Sequence, residues 1–444
     1  MIRYNGQRWS SIPVFVFAGG MGVLSVLPAS AQGVWSKPVN VSSTQPDNYG
    51  TAVAIDAAGN AVAASVGLVQ TGTTVTNIYA TSAPAGGAWA KPVPISSTGR
   101  AGLPVMRMDG AGNASSAWTS FLDTQIAERA AGGSWQQAQT VAPVVLDAQF
   151  LVNARGDQAL VWTTSAPLGL DVSVMRKAAG GTWGPAQIVA SGNAATIFVL
   201  AGRAALGDGG DLMVPFEYFR LYCPPPGGCL NIGWTQKTAR QAQGAVTWEI
   251  SGTQAGPDTS SHNAVAAVSA AGAAGVVYRK ASALYATTQT GPGQAWNAPV
   301  ALYTATKLSN FGVGGGSTGS VTLFALDSGA VVAADGDLAT GLWSPSVVIS
   351  GTDNSATRMS FAVASGGAAV AAWNGPATGS KNPIRAAVRP AGVAVWNAPV
   401  SATPLFPGAT PDSAGINAAG QAVLGLTVYK TSYSRASLVA TYAP

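Results

Sequence analysis

Few residues in this chain have the means to do chemistry, and their types narrow what that chemistry is. Charged residues make up 9% of 444, the single histidine is His262, and the two cysteines are Cys223 and Cys229. One imidazole leaves little room for a nucleophile paired with a histidine base. No G-x-S-x-G, P-loop, H-E-x-x-H or dinucleotide-type glycine motif occurs. Carboxylate chemistry stays open. Asp47, Asp123, Asp171, Glu217, Asp258 and Asp353 lie in segments of varied length, and two such groups meeting over a sugar would form a glycosidase pair. Solvated carboxylates and turn caps are the plainer roles for them. The repeated Asp56-Ala57-Ala58-Gly59-Asn60 type of box lacks the dense oxygen donors of a calcium loop, and no metal or cofactor is expected.

The densest recognition chemistry is Glu217-Tyr218-Phe219-Arg220-Leu221-Tyr222, followed by Cys223-Pro224-Pro225-Pro226-Gly227-Gly228-Cys229. It reads as a long surface-loop insertion whose aromatic, acidic and basic groups can grip a polar ligand such as a glycan. Glu217, Tyr218, Arg220 and Tyr222 are therefore candidate binding residues. Tyr49, Arg100, His262 and Arg358, in other variable segments, join them. In an exported protein, Cys223 and Cys229 are expected to form a local disulfide. So short a loop adds less than the ~3 kcal/mol of a 15-residue one, so it mainly shapes the loop.

These residues need a scaffold, and the scaffold is written as a repeat. Gly86-Gly87-Ala88-Trp89-Ala90-Lys91-Pro92-Val93 recurs in degenerate form around Trp35, Trp135, Trp183, Trp248, Trp296, Trp343 and Trp396, at steps of 54, 46, 48, 65, 48, 47 and 53 residues. Within the unit from Tyr49 to Ser97, strands are predicted at Thr51–Ile55, Ala61–Val66, Asn77–Ser82 and Trp89–Ile95, separated by Gly-containing turns. Four antiparallel strands in about fifty residues describe a propeller blade. The first-turn glycine returns at Gly59, Gly112, Gly156, Gly210, Gly272, Gly319, Gly367 and Gly420. The fold class is all-β, an eight-bladed β-propeller, with seven blades as the alternative. The last unit ends on its third strand at Tyr442, and Gly33-Val34-Trp35 supplies a matching fourth. The N-terminal strand should close the ring and remove its open edges. A tryptophan at one register of every unit fits a packing peg between blades. Trp118, Trp162 and Trp373, replaced by Tyr278 in one unit, should pack there too. Function is then expected on the face carrying the two–three loops and the connections between blades, where length and chemistry vary.

Residues 1–31 read as a secretory signal peptide: Arg3 and Arg8, an apolar run from Ile12 to Leu27, and Ala29-Ser30-Ala31 as the cleavage site. Residues 32–444 are then one exported domain, secreted or periplasmic. No later run is long enough to span a membrane. Without Arg3 and Arg8, 21 basic and 18 acidic residues remain, with no Lys/Arg cluster to mark a nucleic-acid partner. A monomer is expected.

The chain resembles secreted bacterial β-propellers with Trp-anchored blades, over residues 32–444, and is similar in architecture to sialidase-type propellers. Their S-x-D-x-G-x-x-W box is absent, since Asp56-Ala57-Ala58-Gly59-Asn60 carries no Trp at its end. That resemblance would require three arginines on a carboxylate and a tyrosine nucleophile, with Arg100, Arg220, Arg358 and Tyr49 as nominees. Blade number and blade tryptophans also resemble quinone-dependent eight-bladed dehydrogenases, without their longer Trp-docking repeat or calcium chemistry. Fold alone does not carry function across. The expected function is an exported, non-catalytic propeller binding a glycan, peptide or protein; the alternative is a glycan-active hydrolase or lyase.

Overall fold

Alternating Val, Ala, Ser and Thr in runs of five to ten residues, punctuated by turn glycines, makes strands and little else. The computed structural model describes residues 33–444 apart from 71–74, 97–98, 121–122, 144–145, 167–168, 193–197, 223–229, 253–254, 259–261, 316 and 432–433. The described residues of 33–444 are strands and connections, without a helix, so none is long and apolar enough to cross a membrane. The signal-peptide and disulfide expectations lie outside the described residues.

The strands assemble into eight four-stranded antiparallel blades in a ring. Blade one uses Asp47–Ile55, Ala61–Gln70, Val75–Ala83 and the short Val93–Pro94. Its fourth strand pairs through fewer residues than predicted, and Trp89 precedes it. Innermost strands of the next blades are Val105–Met108, Leu146–Val152, Phe198–Ala201 continued by Ala205–Leu206, and His262–Val268. Leu308–Gly315, Met359–Val363 and Thr410–Ile416 complete the set.

The eight first-turn glycines all have φ between 80° and 92°, a conformation costly for any residue with a Cβ. Beside them the Asp-x-x-Gly-Asn boxes act as staples. Asp56 Oδ1 accepts from the Asn60 N–H at 2.8 Å, and Asn60 Oδ1 accepts from the Ala85 N–H of the other turn at 3.1 Å. Asp109 and Asn113 repeat this, with Ala131 as the far partner. The tight-turn face thus consumes its own polar groups.

Every junction between adjacent blades holds a cluster of buried apolar side chains, and a repeat tryptophan packs against each one. Trp135 of blade two sits on the blade one–two cluster, and Trp89 on the cluster between blades eight and one. Trp118, Trp162, Trp373 and Tyr278 are at most 3% exposed, in the same junctions. The tryptophans are pegs, as expected.

Closure is also as expected. Val34 and Trp35 pair with Ala443 and Tyr442, and Val39 and Asn40 pair with Val439 and Leu438. Trp35 lies 5.2 Å from the Tyr442 ring, centroid to centroid, and packs on the blade seven–eight cluster. Across the seam Arg435 grips Asp47 with two nitrogens, at 3.0 and 2.7 Å, and its guanidinium covers the Tyr49 ring at 3.7 Å.

One expectation is corrected. Residues 217–222 are not loop. They continue the strand Leu212–Tyr222, paired through Tyr222↔Leu230 with Leu230–Gln241. Alternating large residues here extend a hairpin instead of leaving it, because each added residue finds a ladder partner and a cross-strand neighbour. Glu217 is consequently buried.

Trp35→Ala should lower stability by about 2–4 kcal/mol, somewhat under the cost for a fully buried Trp because this ring is half-buried. Thermal and urea melts check this; a wild-type melting curve would contradict the closing role.

Candidate functional site

The eight innermost strands line a central channel that opens on the variable-loop face, where each of these strands begins. It has two adjoining lobes. The first, of about 600 Å³, is walled by residues of blades one, two, six, seven and eight. The second, of about 480 Å³, is walled by blades three to six. Ser309 and Asn310 belong to both. Each lobe falls in the volume range of small-ligand sites.

The lobe walls carry arginines. Arg107 and Arg358 line the first, Arg203 and Arg279 the second. Arg107, Arg203 and Arg358 precede their turn glycines by 5, 7 and 9 residues. Arg107 lies within its inner strand, Arg203 in the break between Phe198–Ala201 and Ala205–Leu206, and Arg358 just before Met359–Val363, and all three line the channel. None of the three forms a salt bridge among the described residues. Each has its side chain open to channel water. Protein surrounds Arg107 and Arg203 closely enough that desolvation draws both below the ordinary arginine range, although a guanidinium keeps its charge at any physiological pH.

Their backbones are held firmly. The Arg203 N–H donates to the Ala264 carbonyl and the Arg203 carbonyl accepts from Ala266, both at 2.8 Å, joining the inner strands of blades four and five. Gln149 of blade three reaches Gly202 and Ala204 at 2.7 and 2.8 Å. Asn374 Oδ1 accepts from the Thr357 and Arg358 N–H groups at 3.0 and 2.8 Å.

Asp412 lines the first lobe, and Asp147 and Glu217 the second. Asp412 is raised by burial, opposed by hydrogen bonds from Thr427, the Thr51 N–H and Thr410 and by the charge of Arg358. These bonds tie it to the wall between blades eight and one. Glu217 is 5% exposed and lines the second lobe. Burial pushes its carboxyl up to about 8, against one opposing hydrogen bond from the Asn263 backbone. Its Oε1 is buried with no hydrogen-bond partner among the described residues. Asn263 delivers that bond from a bulge in the blade-five inner strand, between His262 and Val265, with φ at 61°. Asp147 occupies the matching bulge in blade three, φ 51°, on the same lobe wall. Bulges beside a channel re-aim groups, and left-handed non-glycine residues mark places where the surroundings override backbone preference.

The expected site residues separate. Glu217 and Arg358 line the channel, in different lobes. Tyr49 is covered by Arg435 in the closing seam. Tyr218 packs against Phe216 at 5.4 Å with Lys237 over its ring at 5.2 Å. Arg100 bridges by its backbone to Thr76. Arg220, Tyr222 and His262 have strand backbones, and their side chains lie outside the described residues. Of the arginines nominated from the sialidase resemblance, Arg358 alone is seen to line the channel. Sequence reasoning missed Arg107, Arg203, Arg279, Asp147 and Asp412. The available signal was a lone cation inside an apolar first strand, as in Val105-Met106-Arg107-Met108 and Ala201-Gly202-Arg203-Ala204. Among the described residues no group of three His, Cys, Asp or Glu side chains is placed to hold a metal ion.

The arrangement defines an eight-bladed β-propeller with a cationic central channel. No protein-family model matches the chain, and no curated protein matches it. Among solved structures it is similar to a Dos1 propeller, at TM-score 0.46 and 9% identity over 93% of this chain and 95% of that one. An ulvan lyase, a polysaccharide lyase, gives TM-score 0.46 and 11% identity over 87% and 95%. A leech intramolecular trans-sialidase gives 0.41 and 8% over 90% and 96%. At such values these likenesses carry no argument, and the fold rests on the strand pairing itself.

Glu217 has a consequence for stability. Its folded value, about 8, exceeds the ordinary 4.5. The contribution of Glu217 to stability is therefore fullest below about pH 4.5 and falls as pH rises toward 8, by at most about 5 kcal/mol. Glu217→Gln should flatten this slope in melts across that range; an unchanged slope would contradict a neutral Glu217.

Proposed function

We propose that this protein is an exported binding protein that takes an acidic glycan into the channel mouth on its variable-loop face. The observation that carries this is three arginines, Arg107, Arg203 and Arg358, within or beside the inner strands of three blades, lining adjoining lobes without a salt bridge among the described residues. Structural cations are normally paired when hemmed in by protein. Guanidinium groups without an ion-pair partner, wetted by a cavity of ligand size, are groups whose water an anion replaces at little desolvation cost. Sugar hydroxyls would meet Ser309, Asn310, Gln149 and Ser413 on the same walls. A strongly polyanionic partner such as nucleic acid is disfavoured by the lack of any Lys/Arg run in the sequence.

Calorimetry with uronate oligosaccharides against neutral oligosaccharides of equal length tests the reading. The acidic series should bind, the neutral series should bind at least about tenfold more weakly, and Arg107→Gln/Arg203→Gln/Arg358→Gln should lose the difference. Equal binding of both series would refute it.

Glu217 favours a second reading, a glycan-active hydrolase or lyase. A carboxyl kept protonated near neutral pH is in the state a general acid needs. Product release from the same oligosaccharides, abolished by Glu217→Gln, would favour it over simple binding.

Export rests on the charge, apolar run and small-residue site of residues 1–31. Mass spectrometry of the protein from periplasm or medium should find Gln32 first, and Cys223 and Cys229 should alkylate only after reduction. An intact N-terminus in a membrane fraction would refute the cleavage.

A further inference from the structure

Resting on the acidic-glycan reading, we propose that the channel takes two acidic residues of one oligomeric ligand, a carboxylate in each lobe, with Glu217 as hydrogen-bonding partner of the second. The two lobes are separate in their charges and continuous in space. Arg107 and Arg358 serve the first, Arg203 and Arg279 the second, and Ser309 and Asn310 form their common wall. A ligand bearing one carboxylate can satisfy one lobe and leaves the other pair of guanidinium groups to water. An oligomer with an acid on successive units fills both, and its second contact is made at the high local concentration set by the first.

The lobes differ in how they hold the anion. In the first, Asp412 is already tied by Thr51, Thr410 and Thr427, which leaves the arginines as the recognition groups. In the second, Glu217 lines the lobe and accepts one bond from the Asn263 N–H, while its Oε1 is buried and unpartnered among the described residues. An unpaired buried oxygen is costly, and a ligand group that pairs with it recovers that cost. The neutral carboxyl offers an O–H, which a ligand carboxylate accepts in a short, charge-assisted bond. Once ionised, Glu217 would repel the same ligand. The charged groups facing it across this lobe are Asp147, Arg203 and Arg279; the side chain of His262, next to Asn263, lies outside the described residues. The lobe therefore selects an anion only while Glu217 holds its proton.

Calorimetry with galacturonate, its dimer and its trimer on the unaltered mature protein is the test. The dimer and trimer should bind at least about tenfold more tightly than the monomer. Arg203→Gln alone, or Arg107→Gln with Arg358→Gln, should bring the trimer down to monomer affinity. Arg203→Lys, which keeps a cation, should lose less. Raising the pH from about 6 to about 9 should weaken the trimer about tenfold in the unaltered protein and far less in Glu217→Gln, whose amide still donates. A monomer bound as tightly as the trimer would overturn the two-lobe proposal without any variant. So would a trimer affinity unmoved by Arg203→Gln, or a pH response unchanged in Glu217→Gln. If no uronate binds while neutral oligosaccharides do, the acidic-glycan reading itself fails.

Discussion

A propeller blade has two apolar faces and can bury them only against its neighbours, so the ring must close before any blade is fully covered. Everything else here depends on that constraint. The closing contact is the short ladder between residues 34–40 and 438–443. It covers an edge that would otherwise invite pairing with another chain, and places Trp35 on the blade seven–eight cluster. The bidentate Arg435–Asp47 pair and the ring of Tyr49 add a second hold on the seam near the channel mouth. A side chain first weighed as a ligand contact thus belongs to the closure.

Closure also makes the channel rigid. Inner strands are tied sideways, through Arg203 to Ala264 and Ala266, and through Thr51 and Val53 to Asp412 and Ser413. The two faces of the ring differ accordingly. At the tight turns, Asp and Asn boxes satisfy one another and the neighbouring turn. At the opposite end, bulges at Asp147 and Asn263 turn backbone groups inward, and guanidinium groups face water. One face is self-contained; the other keeps polar capacity in reserve. Natural sequences give up local consistency of this kind chiefly at functional sites.

Glu217 is the clearest such departure. The strand alternation that carries it also extends the blade-four hairpin, and burial follows from pairing on both sides, with Leu200 and with Gln236. Folding must hold this carboxyl neutral, with one oxygen unpaired. That penalty is tolerable only where the remaining core is large, and eight blade junctions supply it. The balance between a costly site and an abundant core is a familiar trade between stability and activity.

The repeat made much of this legible in the sequence alone. A tryptophan near every fiftieth residue and a glycine at every first turn pointed to eight blades, with seven as the alternative, because each blade meets the same neighbour and each turn needs the same left-handed residue. The split last unit settled closure, since an unpaired strand must find its partner. The site was only half legible. Local patterning marks which residues are strand, yet it does not say that residues 217–222 would stay in the ladder and bury a glutamate. Nor does it place Arg107, Arg203 and Arg358 on one channel, for they are separated by up to 251 residues and come to line adjoining lobes only through the curvature of the closed ring. Spacing along the chain determined the scaffold, because packing between repeats is a near-neighbour affair. Which charges share a cavity, and which carboxyl loses its water, was decided by the ring as a whole.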